Sequence, residues 1–108
     1  MKVRWSERAA AEFAETVAYV AHEFGVQAAM KMRNSINETI ADISRFPNIG
    51  KSSFTDEESG IDFRELSCRL NSVVYTIYNG EIYIVSIWSN SQDRAKLYSI
   101  LKEDAKGM

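Results

Sequence analysis

The chain has 108 residues, 45% of them hydrophobic and 26% charged, with 13 Lys and Arg against 15 Asp and Glu for a formal charge of −2. A chain of this size buries about two-thirds of its open surface on folding, enough for one core and one domain over residues 1–108. That composition excludes a disordered or fibrous chain, and the charge balance lacks the positive excess that obligate nucleic-acid binders carry.

No window holds the roughly 18 uninterrupted apolar residues of a bilayer span. Lys2, Arg4, Glu7 and Arg8 break the start of the chain, where a signal peptide would turn apolar. The expectation is therefore no membrane anchor. One Cys68 and one His22 leave no disulfide framework, thiolate metal cluster or Cys–His nucleophile pair. No metal and no cofactor are expected, and a reducing cytoplasm fits.

Lys2 to Trp5 is a short β-prone run. Ser6 follows as an N-cap with Glu7 in the first turn, and Trp5 is placed to staple onto Ala10. Ala10, Phe13, Ala14, Val17, Ala21 and Phe24 recur at helical steps and predict a helix ending at Gly25. A second helix is predicted over Val26 to Arg45, with Ala29, Met32, Ile36, Ile40 and Ile43 as its apolar stripe and Pro47 beyond its end. One glycine between two amphipathic helices predicts an antiparallel helical hairpin.

Phe46 to Gly50 reads as a turn, and Lys51 to Gly60 (KSSFTDEESG) as a polar loop. Beyond it the period changes to two. Ile61 to Leu66 reads as a strand, and Val73 to Tyr78 and Glu81 to Trp88 flank Asn79-Gly80, a strong hairpin signal because both turn residues tolerate positive φ. The last of these strands is apolar on both faces and is predicted to be central and covered on two sides. Ser89 to Asp93 is a polar turn, and a final helix over Asp93 to Asp104 presents Leu97, Ile100 and Leu101. The predicted fold is α+β: an N-terminal strand and a helical hairpin packed on one face of a small, mainly antiparallel sheet, with a C-terminal helix.

Chemistry-bearing residues are few. The carboxylates scatter over helix surfaces without the paired spacing of a glycosidase dyad. His22 near the end of the first helix fits a dipole-capping cation. The serines lack a nearby histidine or elbow glycines, and the glycines lack Walker or dinucleotide spacing. Tyr75, Tyr78, Tyr83 and Trp88 suit either a base-stacking platform or cross-strand core pairs. What the topology would gather is a polar cluster beyond the strand ends: Arg64, Arg69, Asn90, Gln92, Arg94 and Tyr98, the last one turn beyond Arg94. Together these could hold a phosphate or a carboxylate-rich protein surface. Alternatively they form a solvated rim with local ion pairs.

The order and spacing of these pieces resemble the RelE/ParE superfamily of toxins from type II toxin–antitoxin modules. The residues that carry the likeness are Val3-Arg4-Trp5-Ser6 with Ala9, Ala10 and Phe13, then Phe24-Gly25 with Ala28-Ala29, then Phe46-Pro47-Asn48-Ile49-Gly50. After these come Phe63-Arg64-Glu65-Leu66, Val74 to Tyr78, and Ile84 to Trp88 ahead of Gln92-Asp93. The resemblance spans nearly all of the chain, from Lys2 to Leu101, and implies a cytoplasmic toxin neutralised by a cognate antitoxin. Val20, Met30 and Phe54 are the candidate apolar contacts for that partner.

RelE-like members cleave messenger RNA on the ribosome with basic residues and a tyrosine, whereas ParE-like members poison DNA gyrase. On the ribonuclease pattern, Arg64, Arg69, Arg94 and Tyr98 are the catalytic candidates. Ser72 and Ser91-Gln92, however, stand where that pattern carries arginines. Metal-free RNA cleavage needs a base, an acid and cations around the phosphate. The expectation is therefore a ParE-like toxin that acts by protein–protein binding. A ribosome-dependent ribonuclease and a non-toxic antitoxin-binding relative are the alternatives.

Overall fold

The computed structural model describes residues 1–108. Its elements run β1 (Val3–Trp5), α1 (Glu7–Phe24), α2 (Val26–Arg45), β2 (Lys51–Thr55), β3 (Asp62–Cys68), β4 (Asn71–Tyr78), β5 (Glu81–Ser89) and α3 (Arg94–Gly107). The strands form one sheet in the order β1-β5-β4-β3-β2. β1 runs parallel to β5, and the other three pairings are antiparallel. No helix is long and apolar enough to cross a membrane.

α1 begins where the sequence places it. The Ser6 hydroxyl accepts the Ala9 N–H at 2.9 Å, which satisfies one of the donors that a helix start leaves open. The helix is rolled by one residue from the expected stripe. Ala9 is fully buried and Phe13 stacks on Trp5 at 5.3 Å, whereas Ala10, Ala14 and Phe24 face solvent. Trp5 therefore staples onto Phe13, not Ala10.

Polar contacts with β5 set this roll. Val74 pairs with Ser86 and Tyr75 with Ile84, so Val85 is the extra residue of a β-bulge. The Val85 carbonyl accepts from the Ser6 hydroxyl at 3.1 Å and Arg8 Nη2 at 3.2 Å. The Glu12 carboxylate accepts from the Ser86 hydroxyl at 2.8 Å and the Ile87 N–H at 3.1 Å. The Val85 carbonyl and the Ile87 N–H at the bulge are thus met by the N-cap and first turns of α1.

Gly25 joins the two helices alone, at φ 93°, where an L side chain would be strained. α2 buries Ala29, Ile36, Ile40 and Ile43 as expected. The Asn79-Gly80 turn has φ of 52° and 75°, the geometry of a two-residue hairpin.

One expectation is corrected. Lys51–Thr55 is not loop but the edge strand β2, paired with β3, and only the stretch after it turns. Edge strands expose one backbone edge to water and carry Lys and polar residues there, so composition alone reads them as loop. Phe54 is the side chain that anchors this one.

Helices also cover both faces of the sheet, not one. Ile36, Ile40, Ile43, Val73, Tyr75, Ile82, Ile84 and Ile87 pack under the α1–α2 hairpin. Phe63, Val74, Val85, Trp88, Leu97, Leu101 and Ala105 form a second core under α3. The two-sided burial predicted for β5 is the local sign of this arrangement.

Candidate functional site

Strand period separates the residues that the sequence grouped. Arg64 pairs with Tyr75, which lies in the core under the hairpin, while Glu65 pairs with Val74 in the core under α3. Arg64 therefore lies on the hairpin face of the sheet, and Arg94 and Tyr98 lie on the α3 face. The six residues do not converge; they fall into three places.

The first place ties the α2–β2 turn. Arg64 Nη1 donates to the Gly50 carbonyl at 2.6 Å and the Asn48 carbonyl at 3.3 Å, and its Nε lies 3.6 Å from Asp62. Tyr75 joins it by donating its hydroxyl to the Pro47 carbonyl at 2.7 Å and accepting the Gly50 N–H at 3.0 Å. Burial raises the Tyr75 pKa above that of an ordinary phenol. Neutral and doubly bonded, this ring is a structural bolt.

The second place centres on Glu65, only 4% exposed. Its Oε2 accepts from Arg94 Nη2 at 2.5 Å and the Ser53 hydroxyl at 3.0 Å, and its Oε1 lies 4.0 Å from Lys51 Nζ. Arg94 Nε donates to the Tyr98 hydroxyl at 3.2 Å, and the guanidinium carbon stands 5.7 Å from the centre of that ring. These bonds to Tyr98 and Glu65 raise the Arg94 pKa further above its ordinary value. Ser52 pairs with Arg64 and Phe54 with Phe63, which makes Ser53 the extra residue of a bulge. Bulges re-aim side chains, and here the hydroxyl is turned onto Glu65.

The third place is the tip of the β3–β4 hairpin. Arg69 sits there at φ 58°. The Asn90 N–H donates to the Leu70 carbonyl at 2.9 Å, and the Asn90 side chain accepts from the Ser72 hydroxyl at 2.7 Å. Gln92 only closes the following turn through its backbone, donating to the Ser89 carbonyl at 3.1 Å. Beside this tip opens a groove of about 660 Å³, running between it and the half of the helical hairpin next to its Gly25 turn. Tyr19, Val20, Phe24, Met32 and Leu70 give it an apolar lining, and Lys31 and Arg69 are its only charged residues. Tyr19, Phe24 and Leu70 are 60%, 70% and 82% exposed, an apolar concentration that a lone domain seldom shows to water.

Of the three residues expected to meet a partner, Val20 lines this groove. Met30 is exposed on α2 outside it. Phe54 is not a free contact, because its ring packs between Phe63 at 6.4 Å and Tyr98 at 5.7 Å. Sequence reasoning missed Glu65 and Leu70 as members of these sites. Their signals were a carboxylate two residues from Phe63 on an inward strand position, and a leucine set in a turn. No three of His, Cys, Asp and Glu converge as a metal site.

The model of the family described as ParE toxin of type II toxin-antitoxin system, parDE, matches residues 3–94. Among solved structures, the chromosomal ParDE toxin–antitoxin system from P. aeruginosa shares 21% identity at a TM-score of 0.68, over 82% of this chain and 95% of that one. The YoeB dimer from Staphylococcus aureus shares 23% at a TM-score of 0.48, covering 82% of this chain and 94% of its own. No curated protein matches the chain. The first of these likenesses carries the fold. The family match runs from β1 to the first residue of α3, leaving Tyr98 beyond its end. The chain belongs to the ParE toxin family of type II toxin–antitoxin systems.

Proposed function

We propose that this toxin acts in the cytoplasm by binding and inhibiting a protein target, DNA gyrase on the ParE side of the family resemblance. In this reading a cognate antitoxin silences it by laying an amphipathic segment into the hairpin-tip groove. One observation carries it. The groove is largely apolar and exposed, and its only charged residues are cations, which suits a segment with apolar anchors and flanking acids. The arginines that a nuclease would need are committed elsewhere, Arg64 to backbone carbonyls and Arg94 to Glu65.

Inducing the chain alone in a bacterium tests this. The expected outcome is growth arrest with intact transcripts and altered DNA supercoiling, reversed by co-expression of the antitoxin. Arrest with in-frame transcript cuts would select the ribonuclease instead, and normal growth would leave a non-toxic antitoxin binder.

A further inference from the structure

We infer that the α3 face carries a small-oxyanion pocket, of the kind that takes phosphate, which the chain fills with its own Glu65. This inference is independent of the proposed target. Arg94 Nη2 and the Ser53 hydroxyl converge on Oε2 at 2.5 and 3.0 Å, and Lys51 Nζ stands 4.0 Å from Oε1. The Tyr98 hydroxyl adjoins the cluster, accepts from Arg94 Nε, and donates to no other protein group. Two cations, a serine hydroxyl and a phenol hydroxyl are a donor set for a tetrahedral oxyanion. A carboxylate uses only part of it.

The donors arrive from separate elements, which argues that the cradle is built and not incidental. Lys51 and Ser53 come from β2, Glu65 from β3, and Arg94 and Tyr98 from α3. Ser53 reaches the site only because the bulge in β2 turns it. The cradle also has two sides of different character. Glu65 enters from within at 4% side-chain exposure, whereas Arg94 and Lys51 keep 41% and 77% of theirs. An external anion therefore has a path to the donors, and what denies it the place is the tethered carboxylate. Glu65 is the tethered occupant of this pocket.

Removing the occupant tests the inference. Glu65→Ala empties the cradle and leaves Arg94 without its partner, so the variant melts lower than the parent in chloride. Inorganic phosphate at matched ionic strength then restores it. At a concentration ten times the Kd, linkage raises the Tm by about 6 °C. The parent, its pocket filled, shows only the general salting effect of phosphate, and adding Arg94→Gln to Glu65→Ala abolishes the specific gain. Should Glu65→Ala be unfolded in chloride, its refolding by phosphate is the same readout. Glu65→Ser, which vacates the space but keeps one hydroxyl, is the second variant. Phosphate responses in both variants no larger than in the parent would overturn the inference.

Discussion

Tyr75 and Gly50 show how a single contact fixes the path of the chain between the hairpin and the sheet. A Cβ on Gly50 would meet the Tyr75 hydroxyl at 2.7 Å, Tyr75 Cε1 at 2.8 Å and the Glu65 carbonyl at 2.9 Å. Glycine is needed there for close approach and not for an unusual φ. Gly50→Ala is expected to cost about 1–3 kcal/mol through overpacking. Tyr75→Phe removes the bonds to Pro47 and Gly50 from a buried site, at about 1–3 kcal/mol. The two changes share a contact, so they will not add: deleting the hydroxyl relieves part of the clash, while the Glu65 carbonyl remains in the way. Chemical denaturation of both single variants and the double variant measures this coupling. Strict additivity would place the clash elsewhere.

Among the elements, α1 shows best what could and could not be read from the chain. Its cap, its length and its end at Gly25 follow from local rules, as do α2 and the Asn79-Gly80 hairpin. The roll of α1 does not, because two partly apolar stripes one residue apart compete. The choice between them falls to the bulge in β5, a tertiary feature with no local signature. β2 was hidden by the polarity proper to an edge. The candidate site suffered from the same parity problem. Arg64 and Glu65 are adjacent in sequence and so must point to opposite faces, and only the sheet decides which face meets α3.

The half-buried Glu12 of α1 turns this geometry into a pH dependence. Burial raises its pKa above 4.5 and outweighs the bonds from Ser86 and Ile87 and the nearby Arg8, which pull it down. The folded state then holds the proton more tightly than the unfolded state. The contribution is fully present below about 4.5 and is lost as pH rises through the higher folded value. Glu12→Gln keeps an acceptor for Ser86 and Ile87 without a charge. Its stability relative to the parent should therefore climb as pH rises from 4 to 7. A flat difference across urea melts in that range would show that Glu12 is not held against its charge.

At the scale of the whole molecule, the two helical layers have separate duties. α3 is pinned across the sheet at both ends, by Arg94 on Glu65 at its start and by Asp104 on Arg8 of α1 near its close. The α1–α2 layer leaves apolar side chains exposed toward its Gly25 turn, and there the apolar groove meets the β3–β4 tip. A surface that binds a partner needs exposed groups that fold stability does not require, so stability and affinity should separate at this tip. Arg69 tests that separation. It is held at φ 58°, where a residue other than glycine is strained, and it is exposed on the rim of the groove. Arg69→Gly releases the strain and adds flexibility to the unfolded chain, for a net change within about 0.5 kcal/mol in either direction. The same change removes one of the two cations of the groove proposed to take the antitoxin. Affinity should fall several-fold at low salt, with the loss shrinking as salt screens the pair. Leu70→Asp, at a leucine 82% exposed, should leave the Tm nearly unchanged while weakening antitoxin binding by about 30-fold, the loss typical of a central apolar anchor. Titration calorimetry against the antitoxin at two salt concentrations, beside thermal melts of each free variant, reads both quantities. If both variants bind as tightly as the parent, the antitoxin segment lies somewhere other than this groove.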